Sequence, residues 1–283
     1  MIKGFPSISL FVPFDLDLRK KGAHMEVPTM AELQARGESP EMLFWVGCAG
    51  SFDQRAQKIT RAFASILQHI GISFAILGNE EMCTGDPVRR AGNEFMFQMM
   101  AYQNILLLQQ YGVKKIVTTC PHCFNTLANE YPELGGHFEV IHHAVLLQQL
   151  IEEGKIVLKG GGSFQGKKIT YHDSCYLGRA NHIYEAPRKV LEVLDAELVE
   201  MKRCRSKGMC CGAGGAQMFK EEEKGSSRVN WERAAQALET GASIVAAACP
   251  FCNTMMTDGV KNKEMEQSVQ VMDIAELVAL SLA

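Results

Sequence analysis

The chain has 283 residues, 22% of them charged, and a formal net charge of -3. That length accommodates two modest domains with their own cores, and so balanced a charge offers no strong field to nucleic acid or an acidic membrane surface. Ten cysteines are too sparse for a small disulfide scaffold, and their Cys-x-x-Cys and Cys-Cys spacings favour a reducing, cytoplasmic setting.

Residues 1–40 read as an amino-terminal arm. Its apolar stretch from Ile8 to Val12 is broken by Pro13 and followed by Asp15 and Asp17, too short and interrupted for direct membrane insertion. The part before Met25 reads equally as an alternative start, a docking arm or a disordered tail.

Residues 41–159 form the first expected domain. An apolar run at 42–47 reads as a buried parallel strand delivering Cys48. Ile59, Phe63, Ile66, Leu67 and Ile70 recur at helical spacing over 55–70, and Gly71 stops that helix. A strand at 73–77 follows, then a loop carrying Cys83. A long helix is predicted over 91–111, with Phe95, Met96, Met99 and Met100 as a core stripe. A strand at 114–119 feeds Cys120. Pro121 suits the first turn of a helix reaching about 131, which places Cys123 at its amino end. A strand at 138–141 and a helix at 144–151 close the unit, with His142-His143 as strand end and helix start.

The Gly-Gly-Gly-Ser run at 160–163 is the clearest linker, and residues 160–283 repeat the order. Strands are predicted at 168–172, 197–201, 243–248 and 269–272. Helices are predicted at 186–194, 229–240, from Pro250, and at 274–282. The acidic run Glu221-Glu222-Glu223 reads as a solvated loop. Such alternation argues for an α/β fold: two homologous Rossmann-like open parallel-sheet domains related by internal duplication.

Nine of the ten cysteines obey that duplication. Cys48, Cys83, Cys120 and Cys123 recur 127 to 129 residues later as Cys175, Cys210, Cys249 and Cys252, and Cys211 is added in the second half. Cys48, Cys120, Cys175 and Cys249 each follow a predicted strand, where open α/β sheets form their crevices, so each set is expected to converge on its own crevice. A helix amino terminus stabilises thiolate, and Gly85, Gly212, Gly214 and Gly215 let backbone amides approach sulfur. All-thiolate ligation selects iron-sulfur clusters or zinc. A metal-free dithiol at either Cys-x-x-Cys is the weaker alternative.

These residues resemble the cysteine-rich (CCG) domain family. The resemblance rests on Cys175, Cys210-Cys211-Gly212 and Cys249/Cys252, and on His172-Asp173-Ser174-Cys175 around the first cysteine. It covers nearly all of the chain from residue 40, as a tandem pair like those found in heterodisulfide reductase and in the iron-sulfur subunits of glycolate oxidase and lactate utilisation systems. It implies an iron-sulfur oxidoreductase subunit. Cys175, Cys210, Cys211, Cys249 and Cys252 would hold a [4Fe-4S] cluster of noncubane type, with an acceptor beside it and heterodisulfide-reductase-like thiol/disulfide chemistry within reach. Thr84 departs from the pattern. It leaves Cys48, Cys83, Cys120 and Cys123 for a [4Fe-4S] cubane or zinc. The chain also lacks a ferredoxin-type cysteine run, so electrons are expected from a partner protein with ferredoxin-type clusters or flavin. The alternative is a zinc-binding structural or partner-binding subunit without redox activity.

Around these thiols, His172 and Asp173 are the candidate catalytic pair, as donors or acceptors near Cys175. His122 is a candidate proton carrier or zinc ligand, although Phe251 occupies its slot in the second half. Arg55 and Arg179 are candidate cations for an anionic site. Cys204 belongs to neither set and reads as a free loop thiol.

Overall fold

The computed structural model describes residues 26–159, 162–221 and 224–283. The leader before Glu26, the first two linker glycines and Glu222-Glu223 of the acidic run lie outside them.

Strands β1 (Met42–Trp45), β2 (Phe74–Ala75), β3 (Lys115–Thr118) and β4 (Glu139–His142) form one parallel sheet in the order β2-β1-β3-β4. Strands β5 (Lys168–Tyr171), β6 (Glu197–Leu198), β7 (Ile244–Ala247) and β8 (Gln270–Asp273) form a second in the equivalent order. β1 and β7 are buried on both faces, as continuous apolar runs require in a sheet covered by helices on each side. In both sheets the order reverses between two strands, β1 and β3 or β5 and β7. Those are the strands whose carboxyl ends lead into cysteines.

The helices explain how the halves join. Helix α1 (Gln54–His69) is capped by Asp53, whose side chain accepts from the Ala56 amide, and buries Ile59, Phe63, Ile66 and Leu67. Helix α2 (Glu94–Gln110) covers the other face of the first sheet. Short α3 (Pro121–Asn125) carries Cys123, and α4 (His143–Glu152) follows β4. In the second half α5 (Glu185–Glu192), α6 (Val229–Leu238), α7 (Pro250–Asn262) and α8 (Ile274–Ser281) take the corresponding places. Across the divide α1 packs on α8 and α4 on α5. One core therefore runs through both halves, from Phe44 and Phe63 through Leu147 to Tyr171, Val190 and Leu277. Each such fully buried side chain contributes about 1.5–3 kcal/mol.

Arg55 fastens that joint. Its guanidinium donates to both carboxylate oxygens of Glu276 (2.6 and 3.0 Å) and to the Val271 carbonyl (2.7 Å). It is thus an inter-half tie and does not serve the thiols.

Two predicted helices differ in outline. The long one, predicted from residue 91, begins at Glu94, capped by the Asn93 side chain on the Met96 amide, and Gly92 at φ +92° parts it from a short helix Asp86–Arg90 that the prediction lacked. The helix from Pro121 keeps α geometry only through Asn125, then passes through a π turn Thr126–Glu130 into Tyr131–Leu134, where Pro132 has no N–H to continue the α-helical ladder.

The methionine stripe of α2 faces outward: Phe95, Met96 and Met99 are 75%, 46% and 50% exposed. The helix buries Phe97, Ala101, Asn104, Ile105 and Leu108 instead. It carries two apolar faces, and periodicity alone does not say which one meets the sheet.

Candidate metal centre

β1 and β3 deliver Cys48 and Cys120 to the carboxyl edge of the first sheet, while Cys120 also caps α3 and sets Cys123 in its first turn. Cys83 arrives on the loop before α2. Its carbonyl accepts from Asn104 Nδ2 at 3.0 Å, and its sulfur accepts from the Gly85 amide at 3.4 Å. Gly85 lies at φ +91°, with Phe97 pressed against the space a Cβ would occupy, so glycine is required there.

The second half repeats the arrangement. Gly212, at φ +92°, donates its amide to Cys210 Sγ at 3.3 Å, and Cys211 Sγ lies 3.4 Å from Cys252 Sγ. In the first half the Cys211 slot is the buried Thr84, whose hydroxyl lies 4.0 Å from Cys123 Sγ.

The expectation of one crevice per half is corrected in one respect: the two crevices open onto each other. Cys48 and Cys83 lie near enough to shift each other's ionisation, as do Cys120 and Cys123, and Cys120 is coupled in the same way across the divide to Cys249. In the second half the same coupling runs through Cys252, Cys211 and Cys210 to Cys175, with Cys211 and Cys252 in direct sulfur contact at 3.4 Å. The shared α1–α8 and α4–α5 packing turns the two carboxyl edges toward one seam.

Thiols so close cannot all ionise. Hydrogen bonding from Cys48 holds Cys83 below the usual thiol range, and bonds from Cys175 and Cys211 do the same for Cys210. Burial would raise Cys120, yet hydrogen bonds from Cys123 and Cys249 and the His122 imidazole hold it well below. Cys48, Cys123 and Cys175, which donate to these thiolates, are pushed up. Each half therefore offers thiolate character without a bound cation, the property a soft metal group needs.

The surroundings of the two sets differ. His172 is fully buried, and its Nδ1 accepts from Arg233 Nε at 3.0 Å. A ring nitrogen of His172 and the sulfurs of Cys211 and Cys252 lie within 4.8 Å of one another. Burial, reinforced by the Arg233 charge, pushes the imidazole down to about 3. Asp173 is engaged elsewhere: Arg188 grips both its oxygens (2.8 and 3.0 Å), and the Arg205 amide donates to it at 2.6 Å. Beside the first set, Glu81 accepts from the Val46 and Gly47 amides (3.0 and 2.5 Å), and desolvation pushes it up to about 8.

His122 stands at the seam. It stacks on Tyr176 of the other half (centroids 4.0 Å apart), meets the edge of Phe251, and lies 3.0 Å from Asp86. Burial pulls it down, but Asp86 and the charges of Cys120 and Cys210 outweigh that and raise it. Arg179 is exposed. Cys204 stands outside the thiol run, its thiol pushed up by burial and by Glu200 and Asp173. Sequence reasoning missed Glu81, Asp86, Tyr176 and Arg233. For Arg233 a signal existed: counted back eight residues from the glycines that follow α2 and α6, Gly112 and Gly241, Asn104 and Arg233 occupy one slot.

An all-thiol set, part-buried to buried, with glycine amides turned onto its sulfurs defines the class: a tandem α/β protein whose halves each gather cysteines at the carboxyl edge of a parallel sheet. A family model for the CCG cysteine-rich domain matches residues 42–128 and again 169–257, and the chain belongs to that family. It is 47% identical over 265 residues to the probable iron-sulfur-binding oxidoreductase FadF of Bacillus subtilis, covering 93% of this chain and 37% of that protein. It is 43% identical over 248 residues to the EtfAB:quinone oxidoreductase of Syntrophomonas wolfei, covering 86% and 34%. A dihydromethanophenazine:CoB--CoM heterodisulfide reductase subunit of Methanosarcina barkeri matches at 36% over 256 residues, covering 87% and 60%. The chain thus spans between about a third and three fifths of these relatives. Among the described residues no helix is long and apolar enough to cross a membrane.

Proposed function

We propose that this chain is an electron-transferring module of an iron-sulfur oxidoreductase, receiving electrons from a partner protein and passing them to an acceptor near the second-half site. The observation that carries this reading is that the two thiol sets face one another across the seam, where Cys120 and Cys249 are near enough to shift each other's ionisation. The names of the relatives, an iron-sulfur-binding oxidoreductase and a heterodisulfide reductase, support the same class.

The donor set fits iron-sulfur. Cys175, Cys210, Cys211, Cys249 and Cys252 would hold a [4Fe-4S] group, and their one thiol beyond the usual four favours a noncubane form. Cys48, Cys83, Cys120 and Cys123 would hold a second group, [4Fe-4S] or zinc. When bound, iron-sulfur clusters supply single-electron steps at a potential set by charge, hydrogen bonds and exposure. The chain's own residues do the rest. Gly85 and Gly212 direct amides at sulfur, His122 is placed at the seam by Asp86 and Tyr176, and His172 and Asp173 border the second set. Exposed Lys202, Arg203, Arg205 and Lys207, on the loop leading to Cys210, give a partner a basic approach. The unit boundaries proposed are 41–159 and 160–283.

Anaerobic reconstitution with iron and sulfide tests the reading. Brown protein with an EPR signal lost in Cys175→Ser is expected, and a second signal lost in Cys48→Ser assigns iron-sulfur rather than zinc to the first set. Colourless protein that binds zinc alone overturns it.

A further inference from the structure

Arg233 is a fully buried guanidinium, and among the described residues no carboxylate lies within ion-pair distance of it. Its Nη1 donates to the Arg203 carbonyl (2.8 Å) and to Gln236 Oε1 (3.0 Å), its Nε donates to His172 Nδ1 (3.0 Å), and its Nη2 has no acceptor. A buried cation without a counter-charge is strongly disfavoured unless the site supplies one. The negative charges that act on it are Asp173, already gripped by Arg188, and then the thiol Cys252 of the second set.

The hydrogen bond from Arg233 also decides the form of His172. A neutral imidazole has one donor and one acceptor nitrogen. Because Nδ1 accepts from Arg233, Nε2 bears the hydrogen, and Nε2 is a buried donor without an acceptor. A ring nitrogen of His172 lies within 4.8 Å of the sulfurs of Cys211 and Cys252, so the ring that carries this N–H borders the second thiol set. Its lone pair is committed to Arg233, so this His172 does not ligate metal.

The first half has neither feature. Trp45 fills the His172 slot, fixed by strand register: Trp45 is the residue after Phe44, which pairs with Val117, as His172 follows Tyr171, which pairs with Ala246. Asn104 fills the Arg233 slot and spends its amide on the Cys83 carbonyl and the Tyr131 hydroxyl. The half with the extra thiol, Cys211, is the half with the buried cation.

We propose that Arg233 is a positioning residue of the second site: it fixes His172 as the Nε2–H tautomer and, directly and through that N–H, offsets the charge of the five-thiol set. This rests on the iron-sulfur reading above. Hydrogen bonds and positive charge at the sulfurs raise the potential of such a group, so the second site is tuned upward relative to the first.

Two measurements test this. In metal-free, reduced protein with 15N-labelled histidine rings, His172 is expected as the Nε2–H tautomer, with Nδ1–H appearing in Arg233→Lys, which keeps charge but loses the planar Nε–H. A Nδ1–H tautomer in the unaltered chain overturns the proposal. In reconstituted protein, potentiometric EPR is expected to show the second-site midpoint moving to lower potential in Arg233→Lys and His172→Leu. His172→Gln, which retains an N–H near Nε2, should recover part of the shift, and the first-site signal should stay put. Unmoved midpoints overturn the proposal. A chain that takes up no iron and sulfide sinks the iron-sulfur reading and the tuning built on it, whereas the ring resonances of the metal-free protein still decide the tautomer.

Discussion

The two halves share strand order, register and cysteine slots, yet they line those slots with opposite chemistry. Around the first set stand Trp45, Thr84 and Asn104, which are neutral, and the carboxyl of Glu81. Around the second stand His172, Cys211 and Arg233. Backbone architecture was retained through duplication because the crevice at the switch between the central strands depends on strand order, not on side chains. Residues facing the crevice are free to diverge, and here an added thiol coincides with an added buried cation. The lesson is that ligand count and local charge belong together in reading such a pair.

Converting one half toward the other is the strongest way to break this comparison. Cys211→Thr gives the second half the first half's ligand set. Its EPR signal is expected to be lost or replaced by one like that of the first site, and an unchanged spectrum removes the asymmetry. Next in size is Asp273→Ala, at the place His142 holds in the first half. Asp273 meets His143 Nε2 at 2.9 Å across the divide and caps α8 through the Ala275 amide. Its loss should cost about 2–4 kcal/mol, an N-cap plus a buried unsatisfied partner, measured by denaturant unfolding.

Gly259→Ala sharpens a packing difference. A Cβ there would sit 2.7 Å from the Asn230 carbonyl and from Ala234 Cβ, so α6 and α7 must separate at a cost of about 1–3 kcal/mol. Seven residues past Cys123, the equivalent position is Glu130, which pairs with Arg89 at 2.8 Å and with Arg90. Glu130→Ala should leave α6 and α7 untouched and give a smaller loss.

The smallest effect is a pH dependence. Burial, then the neighbouring His143, holds His142 well below the ordinary imidazole range. The unfolded chain therefore takes up this proton first as pH falls below about 6.5. Stability from this group is complete above that value and lost progressively below it. His142→Gln should flatten the acid side of the stability profile, and an identical profile rules the contribution out.

Much of the fold was legible in the sequence because it rests on local signals. Apolar runs of four residues gave β1 and β7, and Gly71 and Gly112 marked helix ends. Pro121 and Pro250 placed Cys123 and Cys252 in first turns. The outward face of α2 was not legible, because Phe95 and Met99 match the periodicity of a core stripe as well as Phe97 and Ala101 do. Arg55 illustrates a second limit: its partner Glu276 is 221 residues away, and no local pattern encodes that separation.

Spacing along the chain and residue type suffice for the duplicated α/β order, the nine thiol positions and the Thr84 asymmetry. They do not reach the facing of the two crevices, the meeting of Cys120 with Cys249, or the burial of Arg233 behind His172. Those outcomes depend on how α1 packs on α8 and α4 on α5. That arrangement is set by the burial of apolar surface shared between halves, which is non-directional and leaves no register in the sequence.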